Sequence, residues 1–138
     1  MDTYKSVVDQ VEGRVQFVSL ASRGEPFVCK ELSKMLEYSR EKFLSLKLNT
    51  NASLLNEERC HALLNGAIRT LVFSADAAEE PLYSQLRVRG NLDRVLRNIE
   101  MFQKIRERDY PKARILTRVS GVMVDESKQD IGAMQKLW

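Results

Sequence analysis

The strongest constraint on the fold is a regular alternation between short apolar, β-rich runs and longer helical segments. Four runs have strand character: RVQFVSL at 14–20, LSLKL at 44–48, IRTLVFS at 68–74 and RILTRV at 114–119. Helical segments precede, separate and follow them. Because strands joined by helical crossovers pair in parallel through right-handed connections, the sequence predicts an α/β fold with a parallel sheet of four βα units. Both faces of such a sheet are expected to be covered.

The helical segments are recognised by apolar residues three and four positions apart. They cover 2–12, 27–41, 57–65, a short piece within 77–86, a long segment from 92, and 127–137. Asn56 is the predicted cap of the third segment, and Gly66 its end. The long segment carries the clearest apolar stripe, formed by Leu92, Val95, Leu96, Ile99, Phe102 and Ile105.

Four parallel strands fit two architectures, a small doubly wound sheet or an arc of a barrel. The periodicity of the strands does not separate the two, because parallel strands are buried in both. One rule holds for either architecture: ligands bind at the carboxyl ends of the strands. The residues that follow each strand are therefore the candidates for a functional site.

Length, charge and cysteine content narrow the class of protein. A chain of 138 residues fits one domain, and its net charge of +3 comes from charges of mixed sign. No segment joins clustered basic residues to aromatic ones, which argues against nucleic-acid binding. No apolar run approaches the ~20 residues of a membrane span, and the start lacks a signal-peptide pattern. Cys29 and Cys60, both in helical patterns, are predicted to be small buried residues of a cytoplasmic protein.

Small polar or charged residues follow every predicted strand. The four exits read SRGEP at 22–26, NTN at 49–51, SAD at 74–76 and RVSG at 118–121. A structural βα loop needs only one such residue, usually a helix cap. Each exit alone fits turn chemistry equally well, but the four together favour a binding crevice at one edge of the sheet.

Motifs for several other chemistries are missing from the sequence. It contains no GxxxxGK[ST] loop, no GxGxxG after the first strand and no GxSxG elbow. His61 is the only histidine and lies in the middle of a predicted helix. A Ser-His-Asp triad and a two-histidine metal site are therefore excluded by count.

Taken together, the exits resemble the radical S-adenosylmethionine (radical SAM) superfamily. The stretch 23–26, RGEP, is similar to the family's Gly-Gly-Glu-Pro, with Arg23 in place of the first glycine. The next strand ends in Thr-Asn in the family, as at 49–51 here. The third ends in Ser-x-Asp, as at 74–76, and continues to a Tyr-x-x-x-Arg, here Tyr83 and Arg87. The resemblance extends from 15 to about 122 and is greatest to the branch with an extra cluster-binding (SPASM) domain.

The resemblance implies a fold, an activity and a set of site residues. The fold is strands two to five of a partial (β/α)6 TIM-like barrel, with 1–138 as one partial domain. The activity is reductive cleavage of S-adenosylmethionine (SAM) at a [4Fe-4S] cluster, followed by hydrogen abstraction from an unknown substrate. The implied residues are Gly24, Glu25 and Pro26 at the methionine amino group, Ser74 and Arg87 at its carboxylate or the ribose, and Asn49, Asn51, Asp76 and Arg118 in the same crevice.

The sequence departs from the family in its cysteines. The family holds its cluster with a CxxxCxxC loop, and the two cysteines of this chain have a different spacing. The resemblance therefore predicts a fragment that lacks the cluster loop and the C-terminal part and is inactive as this chain, with no metal ligand and no catalytic residue of its own. Two alternatives stay open, a non-catalytic α/β binding module and a small doubly wound domain of unrelated function.

The predicted partners are SAM and the unknown substrate, with no nucleic acid and no membrane. An arc of four strands leaves two edges without a neighbouring strand. Exposed strand edges pair readily with other chains, so self-association through these edges is also expected.

Overall fold

A computed structural model describes residues 1–20, 23–65, 68–125 and 128–138. The predicted alternation of helices and strands is confirmed. The strands are β1 (Phe17–Ser19), β2 (Ser45–Thr50), β3 (Ile68–Ser74) and β4 (Leu116–Ser120). The helices are α1 (Asp2–Val11), α2 (Leu32–Tyr38), α3 (Glu57–Asn65), α4 (Glu80–Leu86), α5 (Leu92–Asp109) and α6 (Ile131–Leu137), and a 3₁₀ turn covers Pro26–Val28.

The four strands form one parallel sheet in the order β1-β2-β3-β4. Each crossover moves by one strand in the same direction. With right-handed connections, this order places all the crossover helices on one side of the sheet. A doubly wound sheet instead reverses direction at a switch point and has helices on both sides. The sheet is therefore an arc of the barrel type.

The two faces of the sheet have different surroundings. In β2, Leu46 and Leu48 are fully buried, whereas Lys47 and Asn49 between them are only partly buried. The sequence predicted that both faces are covered; on the other side most strand residues are exposed or partly exposed, and Val72, at 3% exposed, is buried. We call the other side the open face; by strand alternation and register it comprises Phe17, Ser19, Ser45, Lys47, Asn49, Thr70, Val72, Ser74, Leu116, Arg118 and Ser120.

The hydrophobic core lies between the covered face of the sheet and the helices. Leu71 and Phe73 of β3 are buried there. The predicted stripe of α5 supplies the facing layer, in which Phe102 is fully buried and contacts Phe73 edge-to-face at 5.9 Å between ring centroids. The stripe was identified correctly because a helix with one apolar face can bury it only against another element.

The predicted helix at 27–41 is two elements in the structure. Pro26 begins a 3₁₀ turn, where its fixed φ is tolerated, and the chain is extended at Cys29 before α2 starts at Leu32. Cys29 is therefore exposed, and the prediction that it is buried was wrong; Cys60 is fully buried as predicted.

Several further boundaries differ from the prediction: β1 is shorter than 14–20, and β4 begins and ends later than 114–119. β2 continues to Thr50, so Asn49 and Thr50 belong to the strand and not to the loop after it. α6 begins at Ile131 because the Asp130 carboxylate accepts a hydrogen bond from the Ala133 N–H at 3.0 Å and caps the helix. Three residues for which the sequence predicted a role lie outside the described residues: Ser22, Gly66 and Ser127.

Candidate cofactor-binding site

A polar cavity of about 380 Å³ lies at the carboxyl ends of β1, β2 and β3. It is at the edge of the sheet where ligands were expected. Its lining includes residues of the RGEP turn, of the NTN exit and of the third exit. The lining consists of Gly24, Glu25, Asn49, Thr50, Asn51, Ser74 and Arg87.

The RGEP turn is tied to the end of β2 by its glutamate. The Glu25 carboxylate accepts hydrogen bonds from Thr50 Oγ1 at 2.7 Å and from the Asn51 N–H at 2.8 Å. It also accepts a longer bond of 3.3 Å from the Phe27 N–H. Gly24 precedes it with φ of 87°, in the left-handed region that favours glycine. Since the carboxylate is engaged by the protein itself, the turn offers a ligand mainly its backbone.

The side chains of the NTN exit have two kinds of role: Thr50 and Asn51 form hydrogen bonds within the protein, and Asn49 is left for the cavity. Thr50 Oγ1 donates to Glu25 and accepts from the Ala52 N–H at 3.0 Å. Asn51 Oδ1 accepts from the Ser53 N–H at 2.9 Å, an Asx turn. Asn49 Oδ1 is buried and has no hydrogen-bond partner among the described residues. An unpaired buried acceptor costs about 1–3 kcal/mol, so this oxygen is suited to a donor from a ligand.

Asp76 lies outside the cavity lining and holds Arg87 in position. Arg87 Nε donates to Asp76 Oδ2 at 2.6 Å, and Asp76 is only 7% exposed. Asp76 Oδ1 accepts from the Val122 N–H at 2.9 Å. The carboxylate thus orients the guanidinium and does not line the cavity. The Nη atoms of Arg87 have no partner within the described ranges and remain available to a ligand carboxylate or hydroxyl.

Tyr83 lies one turn before Arg87 on α4 and belongs to the core. Burial raises the pKa of its phenol above the usual range, and the nearby Arg87 charge opposes this rise in pKa. The phenol is therefore neutral at physiological pH. It packs α4 in place and thereby fixes the position from which Arg87 reaches the cavity.

The remaining predicted residues lie apart from the cavity. Pro26 lines a neighbouring space of about 300 Å³ with Arg23 and Cys29. Arg118 is exposed on the open face, in register with Val72 of β3. The structure thus brings together Gly24, Glu25, Asn49, Asn51, Ser74 and Arg87, and leaves Pro26, Asp76 and Arg118 outside the lining.

Two residues near the site were missed by sequence reasoning. Thr50 lines the cavity, and its position at a strand end was the available signal. Gln129 is 4% exposed, and its Nε2 donates to the Asp76 carbonyl at 2.6 Å and to the Val122 carbonyl at 2.8 Å. Nothing in the local pattern marks Gln129, because its partner Asp76 is 53 residues away.

The described residues do not fit an iron–sulfur cluster. No group of three or more His, Cys, Asp or Glu suited to a metal occurs in the described part of the chain. Cys60 is buried, and burial raises the pKa of its thiol to about 11, which disfavours the thiolate that a cluster needs. No radical-forming step is therefore assigned to these residues.

Comparison with known proteins gives matches in sequence and in fold. No protein-family model matches the chain. A curated relative, Fe-coproporphyrin III synthase of Methanosarcina barkeri (strain Fusaro / DSM 804), is 27% identical over 100 residues, which are 72% of this chain and 25% of that protein. Streptococcus suis SuiB, solved alone and bound to SAM, superposes with a TM-score of 0.76 at 20% identity and covers 99% of this chain and 29% of its own.

A second solved fold is BtrN, in complex with AdoMet and 2-DOIA. It superposes with a TM-score of 0.52 at 15% identity and covers 84% of this chain and 42% of its own. The superpositions confirm the barrel-type α/β fold. The matches agree with the resemblance found in the sequence, since SuiB and BtrN were both solved with SAM bound. The chain spans about a quarter of the curated relative and less than half of either structural neighbour.

Proposed function

We propose that this chain is the SAM-binding part of a radical SAM enzyme, with SAM bound in the cavity at the carboxyl ends of β1, β2 and β3. One observation carries the proposal. The RGEP turn, the NTN exit, Ser74 and Arg87, which resemble separate family motifs in the sequence, line one polar cavity. Strand exits meet at one edge in any parallel sheet; the support lies in a lining that is polar and includes a buried acceptor, Asn49 Oδ1, with no partner among the described residues.

Each lining group has a specific part in the proposal. The backbone of Gly24 and Glu25 faces the methionine amino group, and the Glu25 carboxylate holds that backbone against β2. Asn49 Oδ1, buried without a partner among the described residues, accepts a hydrogen bond from the ligand. The free Nη atoms of Arg87 bind the methionine carboxylate in a forked geometry.

Ser74 and Asn51 complete the wall of the cavity next to Arg87, and Asp76 supports Arg87 without contacting the ligand. SAM held by these residues would supply radical chemistry in the whole enzyme, by one-electron reductive cleavage of its S–C5′ bond with release of methionine. This chain's own residues bind and orient the cofactor; they do not form the radical.

The two alternatives, a doubly wound domain and a non-catalytic binding module, account for the observations less completely. A small doubly wound domain does not fit the sequential strand order. A non-catalytic binding module would keep the same cavity, and differs from the proposal only in lacking enzyme partners for the radical step. The iron–sulfur cluster, the SPASM branch and the hydrogen abstraction therefore remain part of the proposal for the enzyme to which this segment corresponds.

A cytoplasmic location also belongs to the proposal. Both cysteines are free thiols, as in proteins of a reducing compartment. Among the described helices, none combines the length and the apolar character that crossing a bilayer requires.

Isothermal titration of the chain with SAM tests the proposal. We expect saturable binding to one site, and at least a tenfold loss of affinity in Arg87→Met, where the forked carboxylate contact is lost. Arg94→Met, which removes an exposed arginine from α5, is the matched control and is expected to bind as the parent chain does. An absence of heat with SAM in a folded sample would contradict the proposal.

Anaerobic reconstitution with iron and sulfide tests the assignment of the cluster to residues outside this chain. We expect no stoichiometric absorbance at ~400 nm, because two cysteines of the wrong spacing do not complete a cluster site. A full [4Fe-4S] spectrum from this chain would overturn that part of the proposal.

A further inference from the structure

The open face of the sheet carries two cations and no acidic residue. Lys47 of β2 and Arg118 of β4 are its charged residues; the others are hydroxyl, amide or apolar. Lys47 lies between Leu46 and Leu48, which are both fully buried on the covered face, so its side chain is directed to the open side. The charge of this face is therefore positive.

Neither cation has an ionic partner among the described residues. The ion pairs and side-chain hydrogen bonds of the described residues include neither Lys47 nor Arg118. This differs from Arg87, whose guanidinium is paired with Asp76. Two unpaired cations of like sign on one surface raise its potential and attract an anion.

The register places the two cations on either side of β3. Asn49, Val72 and Arg118 form one row across the sheet, and Lys47 and Thr70 belong to the row before it. With strands ~4.8 Å apart and a rise of ~3.3 Å per residue, the Cα atoms of Lys47 and Arg118 are ~12 Å apart. Two long side chains can span this separation and contact the same ligand group. Thr70, which is partly exposed, and Val72, which is buried, lie between them on β3.

This surface continues directly into the cavity proposed for SAM. Asn49 belongs to both, and Ser74 follows Val72 on the same face of β3 and also lines the cavity. A molecule held between Lys47 and Arg118 would have SAM as its neighbour. That is the position required of a molecule that reacts with the cofactor.

We propose that Lys47 and Arg118 bind an anionic group, a carboxylate or a phosphate, of the substrate that reacts beside SAM. The inference rests on the proposed function, since it uses the SAM cavity as the neighbouring site. It assigns Arg118 to the substrate and leaves the methionine carboxylate to Arg87. The substrate class is then a small organic anion with the reacting carbon placed toward the cavity.

Titration of the chain with two anionic probes tests this assignment. Citrate represents carboxylates and pyrophosphate represents phosphates, and both are measured by calorimetry at low and moderate salt. We expect at least one probe to bind, with at least a tenfold loss of affinity in Lys47→Met/Arg118→Met. Arg97→Met/Lys104→Met removes two exposed cations from α5 and is the matched control for net charge, with affinity within about twofold of the parent chain.

A parallel SAM titration of each variant separates the two proposals. Probe binding that depends on Lys47 and Arg118 supports the anion site, and the preferred probe identifies carboxylate or phosphate. Probe affinities that are equal in the double variant and the control, or no probe binding in a chain that binds SAM, overturn the anion site alone. Failure of the parent chain to bind SAM overturns the proposed function instead.

Discussion

Among single residues, Glu25 and Gly24 of the RGEP turn have different roles. The Glu25 side chain fixes the turn to β2, and Gly24 permits the backbone conformation of the turn. Glu25 has its oxygens bonded to Thr50, Asn51 and Phe27, which fixes the turn against β2. Gly24 makes the turn possible by adopting φ of 87°. A Cβ added there would meet no atom within 4 Å, so only backbone conformation requires a glycine.

Gly24→Ala is expected to lower the free energy of unfolding by about 1–2 kcal/mol, the cost of a left-handed conformation for a residue with Cβ. It should also weaken SAM binding, because the shifted turn no longer presents its backbone to the cavity. Gly13→Ala is the control: Gly13 has φ of 73°, has equal space for a Cβ and lies after α1, away from the cavity. Calorimetry and urea unfolding of both variants should give similar stability losses but a SAM effect only for Gly24→Ala.

The Cys60 thiol is expected to make the free energy of unfolding decrease at alkaline pH. Burial raises the pKa of its thiol from 9.0 to about 11. The folded state therefore holds this proton more tightly than the unfolded state, and its contribution to stability is lost as the pH rises from 9.0 toward 11. Urea unfolding at pH 8 and pH 10 should show a smaller decrease in stability for Cys60→Ala than for the parent chain; equal decreases would contradict the assignment.

At the scale of elements, the ends of β3 and β4 are joined by one buried amide. The Gln129 Oε1 atom accepts from the Val124 and Asp125 N–H groups at 2.6 and 2.9 Å, while its Nε2 donates to the Asp76 and Val122 carbonyls. The amide thus links the exit of β3, where Asp76 orients Arg87, to the segment after β4. It supports the binding site without contacting it.

Gln129→Leu is expected to destabilise the fold by about 2–3 kcal/mol, because it leaves buried backbone groups without partners. It should weaken SAM binding as well, through the loss of a fixed Asp76. The same substitution at Gln135, an exposed position of α6, should change stability by less than about 0.5 kcal/mol. Thermal melts and SAM titrations of the two variants provide the comparison, and equal melting temperatures would rule out the linking role.

At the scale of the whole molecule, the sheet is an open arc with two free edges. β1 pairs only with β2, and β4 only with β3, among the described residues. Phe17 on β1 is 67% exposed and Leu116 on β4 is 60% exposed. Apolar edge strands of this kind pair with other copies or other chains.

The chain is therefore expected to self-associate with rising concentration. Leu116→Lys should reduce the association, because charge on an edge strand opposes strand pairing. Val7→Lys introduces the same charge at a position of α1 that is 53% exposed and should leave the association unchanged. Light scattering after size-exclusion chromatography measures both, and a monomer at every concentration tested would show that the edges are not used.

Local sequence patterns were enough to predict the succession of elements, the parallel pairing and the residues at the strand ends. These follow from local patterns: apolar periodicity distinguishes strand from helix, and a helical crossover leaves parallel pairing as the outcome. β3 was predicted with its observed bounds because apolar residues run through it, and the start of α5 was predicted because its long apolar stripe begins at Leu92. The polar residues that follow the strands were identified because their positions follow from the predicted strand ends.

Which of those polar residues meet in one cavity, and what each one does there, depends on long-range contacts that local patterns do not encode. The Glu25 carboxylate reaches Thr50 across 25 residues of sequence and Gln129 reaches Asp76 across 53, and no local period encodes such hydrogen bonds. The open face was also decided at this level. It depends on strand order and on which side the helices pack, and these are set by long-range pairing and burial of the core as a whole.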